Sequence, residues 1–135
     1  MSTGPEHHQF ISKWLDDTAR GLDSGQLASL LNLAVAALWR RANATISEIT
    51  LAVVFTRIVA NSAEKYPFLT STRVDETGVD LGELVKTASS LDRATLRGCM
   101  QFVLTETLNI FGSLTEEVLT PGLRRTLCSV MLGRK

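Results

Sequence analysis

Residues 93–111, RATLRGCMQFVLTETLNIF, decide the fold, together with a second stretch of the same kind at residues 46–63, ISEITLAVVFTRIVANSA. A helix on the surface of a small protein needs only an apolar stripe of ~100°. Drawn on a helical wheel, the 93–111 stretch is apolar over most of its circumference: Leu96, Cys99, Met100, Phe102, Val103, Leu104, Leu108, Ile110 and Phe111. A straight polar ridge runs along it at i, i+4 spacing, Arg97, Gln101, Thr105 and Asn109, with Glu106 set apart from that ridge. The 46–63 stretch carries Ile49, Leu51, Val53, Val54, Phe55, Ile58 and Val59, with a thin polar line at Thr50, Arg57 and Asn61. Both predict central helices of a bundle, with the polar ridges facing water. So much apolar surface also predicts cover from more protein than one copy supplies, and a two-fold dimer is the commonest way to supply it.

The flanking sequence extends the helical reading. Phe10, Ile11, Trp14 and Leu15 sit at helical spacing within residues 6–20, and the Gly21 to Gly25 run breaks that helix. Asp23 or Ser24 is the expected N-cap of the next, residues 26–41, which ends in Arg40 and Arg41 at the negative end of its dipole. Thr45-Ile46-Ser47-Glu48 reads as a capping box with Thr45 as N-cap of the third helix. Pro67 ends that helix, because the residue before a proline avoids helical geometry. Residues 66–80 form one irregular loop in which residues 70–74 and 79–81 could pair as a small hairpin around Asp75-Glu76-Thr77-Gly78. A short helix follows over residues 81–89, and Asp92 caps the fifth. Gly112 is expected to end the fifth helix, and Ser113 to Glu116 to cap a short helix reaching Leu119. Thr120-Pro121 then serves as N-cap and N1 of a last helix to about Leu132. The expectation is an all-α, compact bundle of about five to seven helices, with residues 1–5 as a flexible start and residues 6–135 as a single helical domain.

Composition narrows the function classes. Lys plus Arg and Asp plus Glu number 14 each, so the net charge is zero, which argues against a protein that relies on phosphate attraction. Basic candidates exist at Arg40 with Arg41, Arg93 with Arg97, and Arg124 with Arg125, Arg134 and Lys135. However, the helix following the Ala42-Asn43-Ala44 turn is too apolar to face a DNA groove, so nucleic acid is not the expected partner. The longest apolar run, residues 27–39, is short of the ~20 residues of a membrane span. The polar start has no apolar signal stretch, so a cytoplasmic location is expected, with Cys99 and Cys128 as reduced, packed thiols.

The sequence contains no phosphate-binding glycine loop, nucleophile elbow, C-x-x-C or H-E-x-x-H. His7 and His8 point about 100° apart on a helix and make poor joint metal ligands, and no later histidine exists. Asp75, Glu76, Asp80 and Glu83 lack the spacing of a calcium loop. No metal, cofactor or catalytic residue is therefore assigned. The leading expectation is a non-enzymatic, regulatory interaction module that self-associates, with Phe102, Glu106, Leu108, Phe111 and Arg57 at the interface and the last helix, through Leu123, Leu127 and Met131, as a further contact surface. Were Arg57 and Glu106 both interior, each would need the other, or another partner, because an unpaired buried charge is strongly unfavourable. The alternative is a sensor for a small apolar ligand, its pocket between helices lined by Trp14, Trp39, Tyr66 and Phe68 under a lid formed by residues 66–80.

Overall fold

The computed structural model describes residues 4–115, 120–128 and 130. Among them are six α-helices and one two-stranded sheet, in the order α1 (Gly4–Thr18), α2 (Ser24–Asn43), α3 (Glu48–Lys65), β1 (Arg73–Asp75), β2 (Gly78–Asp80), α4 (Gly82–Thr87), α5 (Arg93–Thr115) and α6 (Thr120–Cys128). Single 3-10 turns occupy Pro67–Ser71 and Ala88–Ser90. The all-α bundle expected from the periodicity is the architecture found.

Helix α5 is the axis of the bundle. From Leu96 to Gly112 no residue is exposed, because α1, α2, α3 and α6 all pack on it. Its polar ridge does not face water as expected; it faces α1. Arg97 forms an ion pair with Asp16, Gln101 hydrogen-bonds His8, and Thr105 is buried. The reason is that α1 is amphipathic and brings its own polar groups to the seam, so Arg97 and Gln101 find partners there in place of solvent.

Helix α3 behaves differently. It buries one stripe, Leu51, Phe55, Ile58 and Ser62, and leaves Ile49 and Val53 each 66% exposed. The thin polar line of Thr50, Arg57 and Asn61 faces water as expected. Phe55 stacks between Trp39 of α2 and Phe111 of α5, with ring centroids 5.5 and 5.7 Å apart, and this aromatic row joins the three helices at the centre of the core.

Local signals explain most boundaries. Asp23 caps α2 in a full capping box: its carboxylate accepts from Gln26 N, and the Gln26 side chain accepts from Asp23 N. Asp92 accepts from Thr95 N at the start of α5. Gly21 sits at φ +79°, a left-handed conformation that lets the chain turn out of α1 without strain on a Cβ. Arg93 closes the same corner by donating to the carbonyls of Leu22 and Ala19.

Two caps differ from expectation. The third helix starts at Glu48 with Ser47 as N-cap, not Thr45, because Thr45 N and Ile46 N both bond back to Ala42 O and consume those residues in a turn. Gly112 does not end α5, which runs on to Thr115 with Gly112 buried in it, so Ser113 cannot cap a new helix. Burial against the other helices outweighs the ~1 kcal/mol that a mid-helix glycine costs. The expected short helix reaching Leu119 and the end of the last helix beyond Cys128 lie outside the described residues, apart from Val130, which is non-helical.

The 66–80 segment forms the hairpin that the sequence left open. β1 and β2 pair antiparallel in the register Arg73↔Asp80, Val74↔Val79 and Asp75↔Gly78. The Asp75 carboxylate accepts from Thr77 N and Thr77 Oγ1 across the turn, and Gly78 takes φ +141°. Val74 and Val79 pack onto the core beside α2 and α3.

Candidate functional site

The core around Phe55 is closely packed. The enclosed apolar void among the described residues, between Leu31, Val35, Phe55, Leu69 and Val103, measures only about 10 Å³. That is at most the room of one water. The four aromatic residues expected to line an internal pocket do not converge. Trp14 is buried and donates from Nε1 to Leu127 O at 2.8 Å, tying α1 to the end of α6. Trp39 belongs to the aromatic row with Phe55. Tyr66 and Phe68 pack on each other at 5.9 Å, at the far end of α3.

A groove of about 570 Å³ lies between α1, the C-terminal end of α3, and α5. Its lining combines His8 and Gln9 from α1, Lys65 and Tyr66 from the end of α3, and Gly98, Gln101, Phe102, Thr105 and Glu106 from α5. The groove thus brings together Phe102 and Glu106, expected at an interface, and Tyr66, expected in a pocket. Pro67 positions the third wall: the helix must stop before it, which leaves Tyr66 as the C-cap, turned toward α5.

The geometry inside the groove is specific. The Phe102 ring stands 6.2 Å from the Tyr66 ring, and Lys65 Nζ lies 5.2 Å from the Phe102 centroid, a cation–π contact. Gly98 leaves the room the phenol needs, since a Cβ there would stand 3.0 Å from Tyr66 Oη. Burial pushes the Tyr66 hydroxyl above its ordinary range, and the charge of the neighbouring Cys99 adds to that shift. His8 lies over the Gln101 amide, 2.9 Å from ring Nε2 to Gln101 Nε2. Glu106 is half-buried and Arg57 is exposed, and neither has an ion-pair partner among the described residues. The buried Arg57–Glu106 pair is therefore not formed.

The remaining expected interface residues divide between core and surface. Leu108 and Phe111 are wholly buried within one chain, so these two side chains are satisfied internally. Arg57 borders the exposed Ile49 and Val53 on the outside of α3. Of the last-helix contact residues, Leu127 is core, and Leu123 and Met131 lie outside the described side chains. The expectation that Cys128 is packed is corrected: Cys99 is buried but Cys128 is exposed, because the last turn of α6 turns that position outward. The acidic residues of the 75–83 segment act locally, Asp75 across the hairpin turn and Asp80 on Gly82 N. Of the basic candidates, Arg93 and Arg97 are engaged within the fold, and Arg124 lies over Phe10 and against His7, which is buried in α1. No described helix is long and apolar enough to cross a membrane.

His8, Lys65, Gly98 and Gln101 belong to the groove but were not singled out as site residues by sequence. The i, i+4 ridge on α5 was the available signal; the meeting of α1 with the end of α3 had none. Compared with known proteins, the chain matches no family model, no curated protein and no solved structure.

Proposed function

We propose that this chain is a non-enzymatic helical interaction module of regulatory type, which self-associates as a two-fold dimer through the outer face of α3. The observation that carries this reading is the 66% exposure of both Ile49 and Val53, on the side of α3 opposite its buried stripe. With Thr56 and Ala60, also exposed, they form a continuous i, i+4, i+7, i+11 stripe flanked by Arg57 and Glu64. A second copy is the occupant that fits, because a stripe of β-branched and small side chains along one helix can be self-complementary about a two-fold axis. The void beside Phe55, of about 10 Å³, supports contact over internal ligand storage. The zero net charge, and the use of Arg93, Arg97 and Arg124 inside the fold, support a protein partner over a nucleic acid. Two free cysteines are in keeping with the reducing cytoplasm.

Light scattering coupled to size exclusion tests the reading across a dilution series. The expected result is a mass approaching twice 14.8 kDa at high concentration. A mass of 14.8 kDa at every concentration overturns it.

A further inference from the structure

We propose that the groove between α1, α3 and α5 is a binding site for a small zwitterion that carries an aromatic ring, such as a free aromatic amino acid. The site is separate from the outer face of α3 and does not depend on self-association. Its volume of about 570 Å³ falls within the ~300–1,000 Å³ of small-molecule sites.

The chemistry of the lining selects the class. Lys65 and Glu106 bring opposite charges to one groove, and neither forms an ion pair among the described residues. Phe102 lies between them: Lys65 Nζ sits over its ring, and Glu106 is one turn further along the same face of α5. An anion alone would meet Lys65 and be repelled by Glu106. A cation alone would meet Glu106 and be repelled by Lys65. A neutral apolar molecule would desolvate both charges without pairing either. A zwitterion satisfies the two together, its carboxylate toward Lys65 and the Tyr66 phenol and its ammonium toward Glu106. The Tyr66 and Phe102 rings supply the wall against which an aromatic ring packs, offset or edge-on.

Thr105 forms part of the groove wall, and its hydroxyl is left without a partner inside the fold. The residue is only 9% exposed. Elsewhere the helical threonines Thr56, Thr87 and Thr107 donate to the carbonyl four residues back, at 2.6, 3.0 and 2.8 Å. Thr105 has the same option at Gln101 and does not take it. A buried hydroxyl left unmade is costly, and native proteins keep such groups few.

The test is a titration of the ¹⁵N-labelled protein with L-phenylalanine, phenethylamine and 3-phenylpropionate, read by the backbone amides of Gly98 and Thr105 and the side-chain amide of Gln101. A ligand of this size is expected to bind with a Kd on the order of 1 mM or below. L-Phenylalanine should shift these signals saturably, and each analogue lacking one charge should bind at least about tenfold more weakly. Lys65→Ala should remove the preference for L-phenylalanine over phenethylamine, and Glu106→Gln the preference over 3-phenylpropionate. The proposal is overturned if no saturable shift occurs by about 20 mM. It is equally overturned if the three molecules bind alike, or if both variants bind L-phenylalanine as the natural chain does.

Discussion

Replacing Ile49 and Val53 together by serine tests the α3 interface with a calculable effect. At 66% exposure each side chain presents roughly 120 Å² to solvent, so burying the four copies in a two-fold dimer removes roughly 480 Å² of apolar surface, about 12 kcal/mol gross at ~25 cal/mol per Å². Association costs an estimated 4–15 kcal/mol in lost freedom before any polar desolvation. The surplus is small, and the dimer should be weak, with a Kd on the order of micromolar to millimolar. The double substitution removes most of the gross term and should abolish association at any accessible concentration. Sedimentation equilibrium from about 1 μM to 1 mM reads this directly. In the separate monomer neither side chain belongs to the buried core, so the midpoint of urea unfolding should move by no more than about 0.5 kcal/mol equivalent. A dimer that survives the double substitution would refute the assignment of this face. A large loss of monomer stability would refute the premise that both side chains stand free.

Three further outcomes follow from the interior and the hairpin. Cys128 should react promptly with a thiol reagent at neutral pH while Cys99, buried and with its thiol pushed up to about 12, reacts only after unfolding; prompt modification of both would contradict the packing of α5. Phe55→Ala should cost about 4 kcal/mol, combining lost transfer free energy with a cavity penalty of ~24 cal/mol per Å³, since the ring is clasped by Trp39 and Phe111; denaturant unfolding followed by tryptophan fluorescence measures it, and a loss under about 1 kcal/mol would mean that the row is not formed. The hydroxyl and amide of Thr77 hold the Asp75 carboxyl below its usual range, so its contribution to the hairpin is present above the ordinary carboxylate pKa and is lost as pH falls through the lowered value. An NMR pH titration should therefore show Asp75 protonating below the ordinary aspartate range, with the Thr77 amide following it; an Asp75 that titrates at the ordinary value would remove the turn hydrogen bonds from the account.

The helices were legible because their causes are local. Periodicity over 15 to 20 residues, the Asp23 box, the Asp92 cap and Pro67 act within a few residues of where they stand in the chain. The same locality explains the errors. Gly112 stops a helix by intrinsic preference, but four packed neighbours hold α5 through it. Thr45-Ile46-Ser47-Glu48 has the composition of a capping box, yet the preceding turn had already used the Thr45 and Ile46 amides. The groove was half legible. The ridge of Arg97, Gln101, Thr105 and Asn109 could be drawn from the sequence, and Phe102, Glu106 and Tyr66 were picked out, though for two different sites.

What the sequence determined by itself was that this chain is a bundle with two helices of unusual apolar breadth, since side-chain chemistry repeated every 3.6 residues is a property of the chain alone. What only the tertiary structure decided was how each helix disposes of that breadth. Residues 93–111 and 46–63 look alike on a wheel, yet α5 leaves no residue from Leu96 to Gly112 exposed and α3 presents Ile49 and Val53 to solvent. The difference lies in how many neighbours each helix has, and that is settled by where α1, α2 and α6 pack. The same packing brings His8, Lys65 and Glu106 to one groove from parts of the chain up to 98 residues apart, a proximity that no local pattern encodes.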